Sequence, residues 1–219
     1  VSEQVNPDEF IITRKRKLYR FALFSNSPFC FEADEWTKIK VDTLEIGAGT
    51  GLFSVALANQ MPEQQFVAFD VKADRLQTGA RKAEEENLTN IRFLRGRGDL
   101  LADFFAPLSL EDIWITFPDP FPKERSAKHR LTHPRFLNIY RSLLKEDGKL
   151  YFKTDARDLF EWSLEQFVDQ GWAITELSFD LHDSSLSDIY KTKTTYETRF
   201  INEGLPIYFV SCTPPKIAK

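Results

Sequence analysis

The sequence predicts an α/β protein of Rossmann-like, doubly wound architecture: a mostly parallel sheet of about seven strands, an antiparallel strand at one edge, and helices on both faces. Three observations carry that expectation. From Val41 onward short apolar runs alternate with amphipathic stretches, a glycine-rich turn joins the first run to the first helix, and the last two apolar runs have no helical pattern between them.

In chain order, the run Val41–Gly47 is a strand closing on the glycine turn, and Leu52–Gln60 is the helix that the turn opens. Phe66–Val71 is a second strand with Asp70 near its end, followed by a helical stretch at Ala73–Asn87. Ile91–Arg95 is a third strand, and Leu100–Phe105 reads as a shorter helix. Ile113–Phe117 is the fourth strand, ending on a proline-rich segment, and the helix His133–Leu144 leads to a fifth strand at Lys149–Thr154 and a helix at Leu159–Gln170. Strand and helix alternating at this spacing imply βαβ units and hence a parallel sheet. The runs Trp172–Leu181 and Pro206–Cys212 should pair antiparallel at one edge. About 24 residues separate them, longer than an idle connection, so this segment is expected to be a functional loop. Before Val41, the aromatic-rich Phe21–Trp36 has no clear period, so residues 1–40 read as a basic and aromatic extension of the domain formed by 41–219.

No apolar run approaches the roughly 18 residues that would span a bilayer, and Phe10, Ile11 and Ile12 precede the basic Arg14–Lys17, the reverse of a secretory signal. A soluble, cytoplasmic protein without a membrane partner is expected. Cys30 and Cys212 lie far apart and only three histidines exist, so neither a disulfide framework nor a metal site is expected. The net charge of −4 hides a segregation. Arg14–Arg20 sums to +5 and Lys123–Arg135 to +4, so the remainder holds −13. Two basic segments on an acidic body can form a local phosphate-binding footprint, although either could equally be a solvated face.

Gly47-Ala48-Gly49-Thr50-Gly51 lets the backbone turn sharply and lets a ligand approach closely, as at a nucleoside-cofactor site. Asp70, 23 residues after Gly47, lies where an acid accepts from a ribose. A dinucleotide fingerprint would place glycine or alanine where Leu52 stands, and Glu45 two residues before Gly47 disfavours a pyrophosphate. A glycine loop flanked by carboxylates suits a cationic, phosphate-free ligand, of which S-adenosylmethionine is one. Gly96-Arg97-Gly98-Asp99 follows the third strand.

At the carboxyl end of the fourth strand, Phe117-Pro118-Asp119-Pro120-Phe121-Pro122 puts a carboxylate and an aromatic ring on a stiff loop beside the first strand. Lys123, Arg125, Lys128 and Arg130 follow at once, which suits a nucleobase acceptor whose backbone the cations hold. A rigid turn followed by a solvated helix start would read the same way from spacing alone.

These residues make the chain resemble the bacterial tRNA (guanine-N7-)-methyltransferase family. The resemblance rests on Glu45-Ile-Gly-x-Gly-x-Gly51, Asp119-Pro-Phe-Pro-Lys123, the basic run Lys128–Leu131, Phe152-Lys-Thr-Asp155, and Thr194-Thr-Tyr-Glu197 with Arg199-Phe200 after it. It covers Val41 to the C-terminus and implies methyl transfer from S-adenosylmethionine to N7 of a variable-loop guanosine in tRNA, by a monomer or homodimer. It also implies that Glu45, Gly47, Gly49, Gly51, Asp70, Arg97, Gly98, Asp99 and Asp119 surround the cofactor. Lys123, Asp155, Thr194, Thr195, Tyr196 and Glu197 would face the guanosine, and Arg125, Lys128, His129 and Arg130 would hold the tRNA. The chain departs from the family at Phe121, Glu124, Ser126 and His129, which replace Trp, Lys, His and Arg, and at Arg97, where an acid is usual. An adenine amino group needs an acceptor, which Arg97 lacks, so Asp99 either takes that place or caps the short helix after it.

Guanine N7 has a lone pair and no proton, so methylation needs alignment and charge stabilisation rather than a general base. Asp119 is the expected catalytic residue, with Asp155 as a second carboxylate. Lys153, near a strand end, is expected to face solvent. Two alternatives stay open on the residues: an exocyclic-amine methyltransferase, whose loop would have proline where Phe121 stands, and a non-catalytic RNA-binding subunit of the same fold.

Overall fold

The computed structural model describes residues 4–9 and 15–216. The expectation for Arg14 falls outside these residues, as do the side chains of Lys15, Arg16, Thr195 and Tyr196.

Alternation along the central strands decides the layering, because successive side chains on a strand point to opposite faces. In β2 (Thr43–Ile46), β5 (Leu110–Thr116) and β6 (Leu144–Thr154), Leu44, Ile46, Ile113, Ile115, Leu150 and Phe152 enter one core. Trp114 and Tyr151 enter the other, stacked at 4.3 Å between ring centroids. The first core is closed by α4 (Leu101–Phe104), α5 (Pro134–Leu143) and α6 (Arg157–Asp169). The second is closed by α1 (Lys15–Ser25), α2 (Leu52–Gln60), α3 (Ala73–Glu85) and the segment from Leu181 to Ile207.

With β1 (Cys30–Phe31), β3 (Phe66–Asp70), β4 (Ile91–Arg95), β7 (Ala173–Ser178) and β8 (Tyr208–Thr213), the sheet runs β1-β4-β3-β2-β5-β6-β8-β7. Pairing is parallel from β1 through β6, and β8 runs antiparallel to both β6 and β7. The doubly wound fold is therefore as expected, with the antiparallel strand one place in from the edge. Ile91–Arg95 and Leu52–Gln60 match the expected bounds.

Two expectations change. The N-terminal extension, with its aperiodic Phe21–Trp36, contains α1 and β1, which makes eight strands among the described residues. Phe24 at 1% exposure and Ala22 at 4% seat α1 in the second core, and Arg95 lies 5.4 Å from the Phe21 ring while pairing with Glu32 at 3.1 Å. Tertiary packing rather than periodicity settles a helix of this length. The segment between the last two strands holds α7 (Thr195–Asn202), whose polar first turn conceals a capping box: Thr194 Oγ1 accepts from Glu197 N at 3.0 Å, and Glu197 Oε2 accepts from Thr194 N at 3.1 Å. Among the described residues, no helix is long and apolar enough to cross a membrane, and no group of three or more His, Cys, Asp or Glu could hold a metal.

Candidate active site

The sheet order reverses direction between β2 and β5, and at the carboxyl ends of β2 to β6 this leaves a cleft of about 690 Å³. Gly47 to Thr50 form its floor, whereas Gly51, expected beside the cofactor, does not line it and is packed close against Phe93 and Ala68 of the sheet. Gly47, Gly49 and Gly51 have φ of 72°, 57° and 70°, a left-handed backbone that disfavours side chains. A Cβ on Gly49 would meet nothing within 4 Å, so the space above that backbone is open to a ligand. Asp70 organises both banks, accepting from Gly49 N at 2.9 Å and Lys72 N at 2.8 Å, and each of its oxygens keeps a second lone pair for a hydroxyl donor.

Glu45 stands at the back of the cleft, 2% exposed, and accepts from Ser54 Oγ at 2.5 Å and Thr116 Oγ1 at 2.7 Å. Burial pushes its carboxyl up to about 7 against those two hydrogen bonds, and the negative charge of Asp70 acts in the same direction. Asp155, at the end of β6, also lines the cleft, and burial raises its pKa. A cleft with carboxylates at its back and rim and with Phe69, Phe117, Phe136 and Phe200 on its walls suits a flat, positively charged or amphipathic ligand.

Asp119 is exposed at the rim and held by unusual backbone. Phe117 and Phe121, on either side of Pro118-Asp119-Pro120, have φ of 47° and 43°, a conformation costly for a non-glycine residue. Two contacts hold it. Phe117 packs on Phe200 of α7 at 5.8 Å, and the Phe121 carbonyl accepts from Arg130 Nε at 3.3 Å and Nη2 at 3.0 Å. Arg130 is 9% exposed, with its guanidinium 4.4 Å from the Trp162 ring. The structure thus turns Arg130 inward as a brace of the aspartate loop, a correction to its expected place among RNA-holding cations. Lys123, Arg125, Lys128 and His129 are exposed around the six-residue 3₁₀ turn Glu124–His129; Lys123, expected to face the guanosine, does not line the cleft, whereas His129 does, with its ring 5.7 Å from Phe121.

Arg97 and Asp99 both line the cleft and hold each other, Nε to Oδ1 at 3.0 Å and Nη2 to Oδ2 at 2.8 Å. That hydrogen bonding lowers the Asp99 pKa, so a charged acceptor is kept beside Gly98 at the position where an adenine edge was expected. Asp99 is not the cap residue of either helix: it lies inside the 3₁₀ turn Gly98–Leu100, whose cap position is Arg97, and Leu100 precedes α4.

Two further residues differ from expectation. Lys153 is fully buried rather than solvent-facing, and Glu197 is also 0% exposed rather than presented to the cleft. They pair at 2.8 Å, and His182 Nε2 lies 2.7 Å from the other Glu197 oxygen. Alternation places Lys153 on the same face as Tyr151, beneath the segment carrying α7, and the Thr-x-x-Glu spacing was a capping signature that the sequence already contained. Thr194 and Phe200 do reach the cleft wall.

Comparison with known proteins agrees with this geometry. The family model described as "Putative methyltransferase" matches residues 40–210. A tRNA (guanine-N(7)-)-methyltransferase of Cytophaga hutchinsonii is 42% identical over 170 residues, covering 76% of this chain and 77% of that protein. One from Clostridioides difficile is 38% identical over 165 residues, covering 75% and 76%. Among solved structures, the 16S rRNA methyltransferase KamB superposes with a TM-score of 0.60 at 14% identity, over 84% of this chain and 90% of that one, a likeness of fold.

Proposed function

The chain belongs to the tRNA (guanine-N7-)-methyltransferase family, and from that membership and the cleft we infer that it transfers a methyl group from S-adenosylmethionine to N7 of a guanosine in tRNA. The observation that carries the reading is the convergence of Glu45, Asp70, Asp119 and Asp155 on one cleft, with exposed cations directly after the aspartate loop.

The residues fit the cofactor. The left-handed glycine loop leaves open space at Gly49, Asp70 offers lone pairs to ribose hydroxyls, and Asp99, held charged by Arg97, offers an acceptor to an adenine amino group. Glu45, at the back, accepts from an ammonium. When bound, S-adenosylmethionine supplies an electrophilic methyl on a sulfonium. The protein's task is then to bring guanine N7 in line and to stabilise the positive charge the base acquires, and no proton need be removed. Asp119, on a loop braced by Arg130 and Phe200, places a carboxylate at the rim where the base enters, and Asp155 stands on the neighbouring strand end. Lys123, Arg125 and Lys128 hold the RNA backbone outside the cleft. Target selection within the variable loop follows from which guanosine that footprint brings to Asp119.

The test is incubation of the protein with unmodified tRNA and methyl-labelled cofactor, followed by nucleoside mass spectrometry. N7-methylguanosine is the expected product. A methyl group on an exocyclic amine would move the enzyme to the rival class, and absence of cofactor binding would make the chain an RNA-binding module.

A further inference from the structure

We propose that Lys153 and Glu197 are positioning residues for methyl transfer: a buried clasp that fixes the recognition segment and α7 against the sheet, so that Thr194 and Phe200 wall the cleft and Phe200 supports the aspartate loop. The proposal rests on the function inferred above and concerns how that same site is assembled.

The ammonium of Lys153 is fully enclosed and all three of its protons are used. It donates to the carbonyls of Tyr190 at 2.9 Å and Thr192 at 3.0 Å and to Glu197 Oε2 at 2.8 Å. Each acceptor belongs to the segment between β7 and β8, and none to β6, which carries the lysine. The same Glu197 oxygen closes the capping box at Thr194 N, and the other oxygen meets His182 at 2.7 Å, so one carboxylate ties the start of the segment, its middle and the first turn of α7 to one strand. The lysine therefore ties Tyr190, Thr192 and Glu197 to one point of the sheet, beside the apolar contacts that Leu181 and Tyr190 make with the second core.

The cost of burying two charges argues for registry rather than stability. An ion pair out of water regains little more than its desolvation penalty, and apolar residues of similar size would hold two layers together at least as well. What apolar residues would not do is fix one register: the three acceptors are backbone and carboxylate oxygens at set positions, and a slipped segment would leave the ammonium unsatisfied. Lys153 also sits two residues before Asp155 on β6, so the strand that presents a carboxylate to the cleft presents the clasp on its way there. From the clasp the geometry runs outward through α7 to Phe200, whose ring lies 5.8 Å from Phe117, the left-handed residue at the base of the Asp119 loop. On this reading Glu197 acts from beneath the site and does not itself read the base.

The experiment compares wild type with Glu197→Gln, Lys153→Met and the double variant, because the double removes both charges together and Gln keeps the capping box, so it folds even if Lys153→Met alone does not. Three readouts are taken: amide hydrogen exchange over residues 182–202, affinity for S-adenosylmethionine, and single-turnover methylation of saturating tRNA well below the melting temperature. The double variant is expected to keep cofactor affinity within about twofold, to lose exchange protection across 182–202, and to slow single-turnover methylation by about tenfold or more. Wild-type methylation by the double variant would overturn the proposal. So would a Glu197→Gln enzyme that loses methylation while exchange over 182–202 stays unchanged, since that pattern belongs to a residue touching the base. The exchange readout does not depend on which atom is methylated, so a wild-type enzyme that modifies another position would refute the inferred function and leave the clasp to be judged by exchange alone.

Discussion

Asp119 and Glu45 are both carboxylates in one cleft, and their surroundings give them opposite tasks. Asp119 is exposed on a loop whose flanking phenylalanines hold left-handed backbone, so its orientation is set by the loop. Asp119→Asn is expected to preserve the fold and to lower single-turnover methylation about 10²–10³-fold, the scale of one preorganised electrostatic contact. Rapid-quench measurement at saturating tRNA and cofactor checks it, and unaltered rates would remove Asp119 from the reaction. Glu45 is buried, and burial lifts its carboxyl from 4.5 to about 7. The folded protein then binds its proton more tightly than the unfolded chain, so the Glu45 contribution to stability is greatest below pH 4.5 and is lost as pH rises to about 7. The loss amounts to roughly 3 kcal/mol in the ligand-free protein. Glu45→Gln should therefore be more stable than wild type at pH 8, by roughly 1–3 kcal/mol in urea titrations, while binding S-adenosylmethionine more weakly. Wild-type affinity for the cofactor should in turn rise through pH 7 as Glu45 ionises, and a flat affinity profile would deny it the contact.

At the scale of elements, the strands and helices that build the cleft floor were legible because each carries a strong local pattern. Leu52–Gln60 follows a glycine loop with left-handed angles that favour glycine, and Ile91–Arg95 is a short strand whose Ile91 and Phe93 enter one core and Leu94 the other. What sequence periodicity missed is what tertiary contact decides: α1 takes its shape from packing Ala22 and Phe24 into the second core, and the inward turn of Arg130 depends on Trp162 from α6, 32 residues away. Charge clustering alone could not separate Arg130 from Arg125 and Lys128. The burial of Lys153 is hidden for a related reason, since its partners come from a segment 37 to 44 positions further along the chain. The loop brace gives a test at this scale. Arg130→Ala removes two charged hydrogen bonds to the Phe121 carbonyl and should destabilise the protein by about 1–3 kcal/mol and slow methylation, while the salt dependence of tRNA binding stays as in wild type. A flattened salt dependence would return Arg130 to the RNA footprint.

For the whole molecule, the question is how a chain of net charge −4 holds a polyanion. The answer lies in where the charges stand. The cleft concentrates carboxylates at the carboxyl ends of the strands, and the exposed Lys123, Arg125 and Lys128 leave the fourth of these strands immediately beyond the aspartate loop, so attraction for phosphate begins where the cation-binding cleft ends. The basic Arg14–Arg20 is the other cluster of positive charge, and the rest of the chain sums to −13. With those three side chains as the footprint, the logarithm of the tRNA association constant should fall with the logarithm of salt concentration with a slope of about −2 to −3, at roughly 0.7–0.9 per phosphate contact. Arg125→Ala and Lys128→Ala should each flatten the slope by about one unit without changing affinity for S-adenosylmethionine, whose site they do not line. Filter binding across a salt series reads the slopes directly. A wild-type slope steeper than this, unaltered in both variants, would move the footprint to the cleft-rim cations Lys72, Arg75 and Arg135 and place the tRNA across the starts of α3 and α5 instead of along the turn after β5.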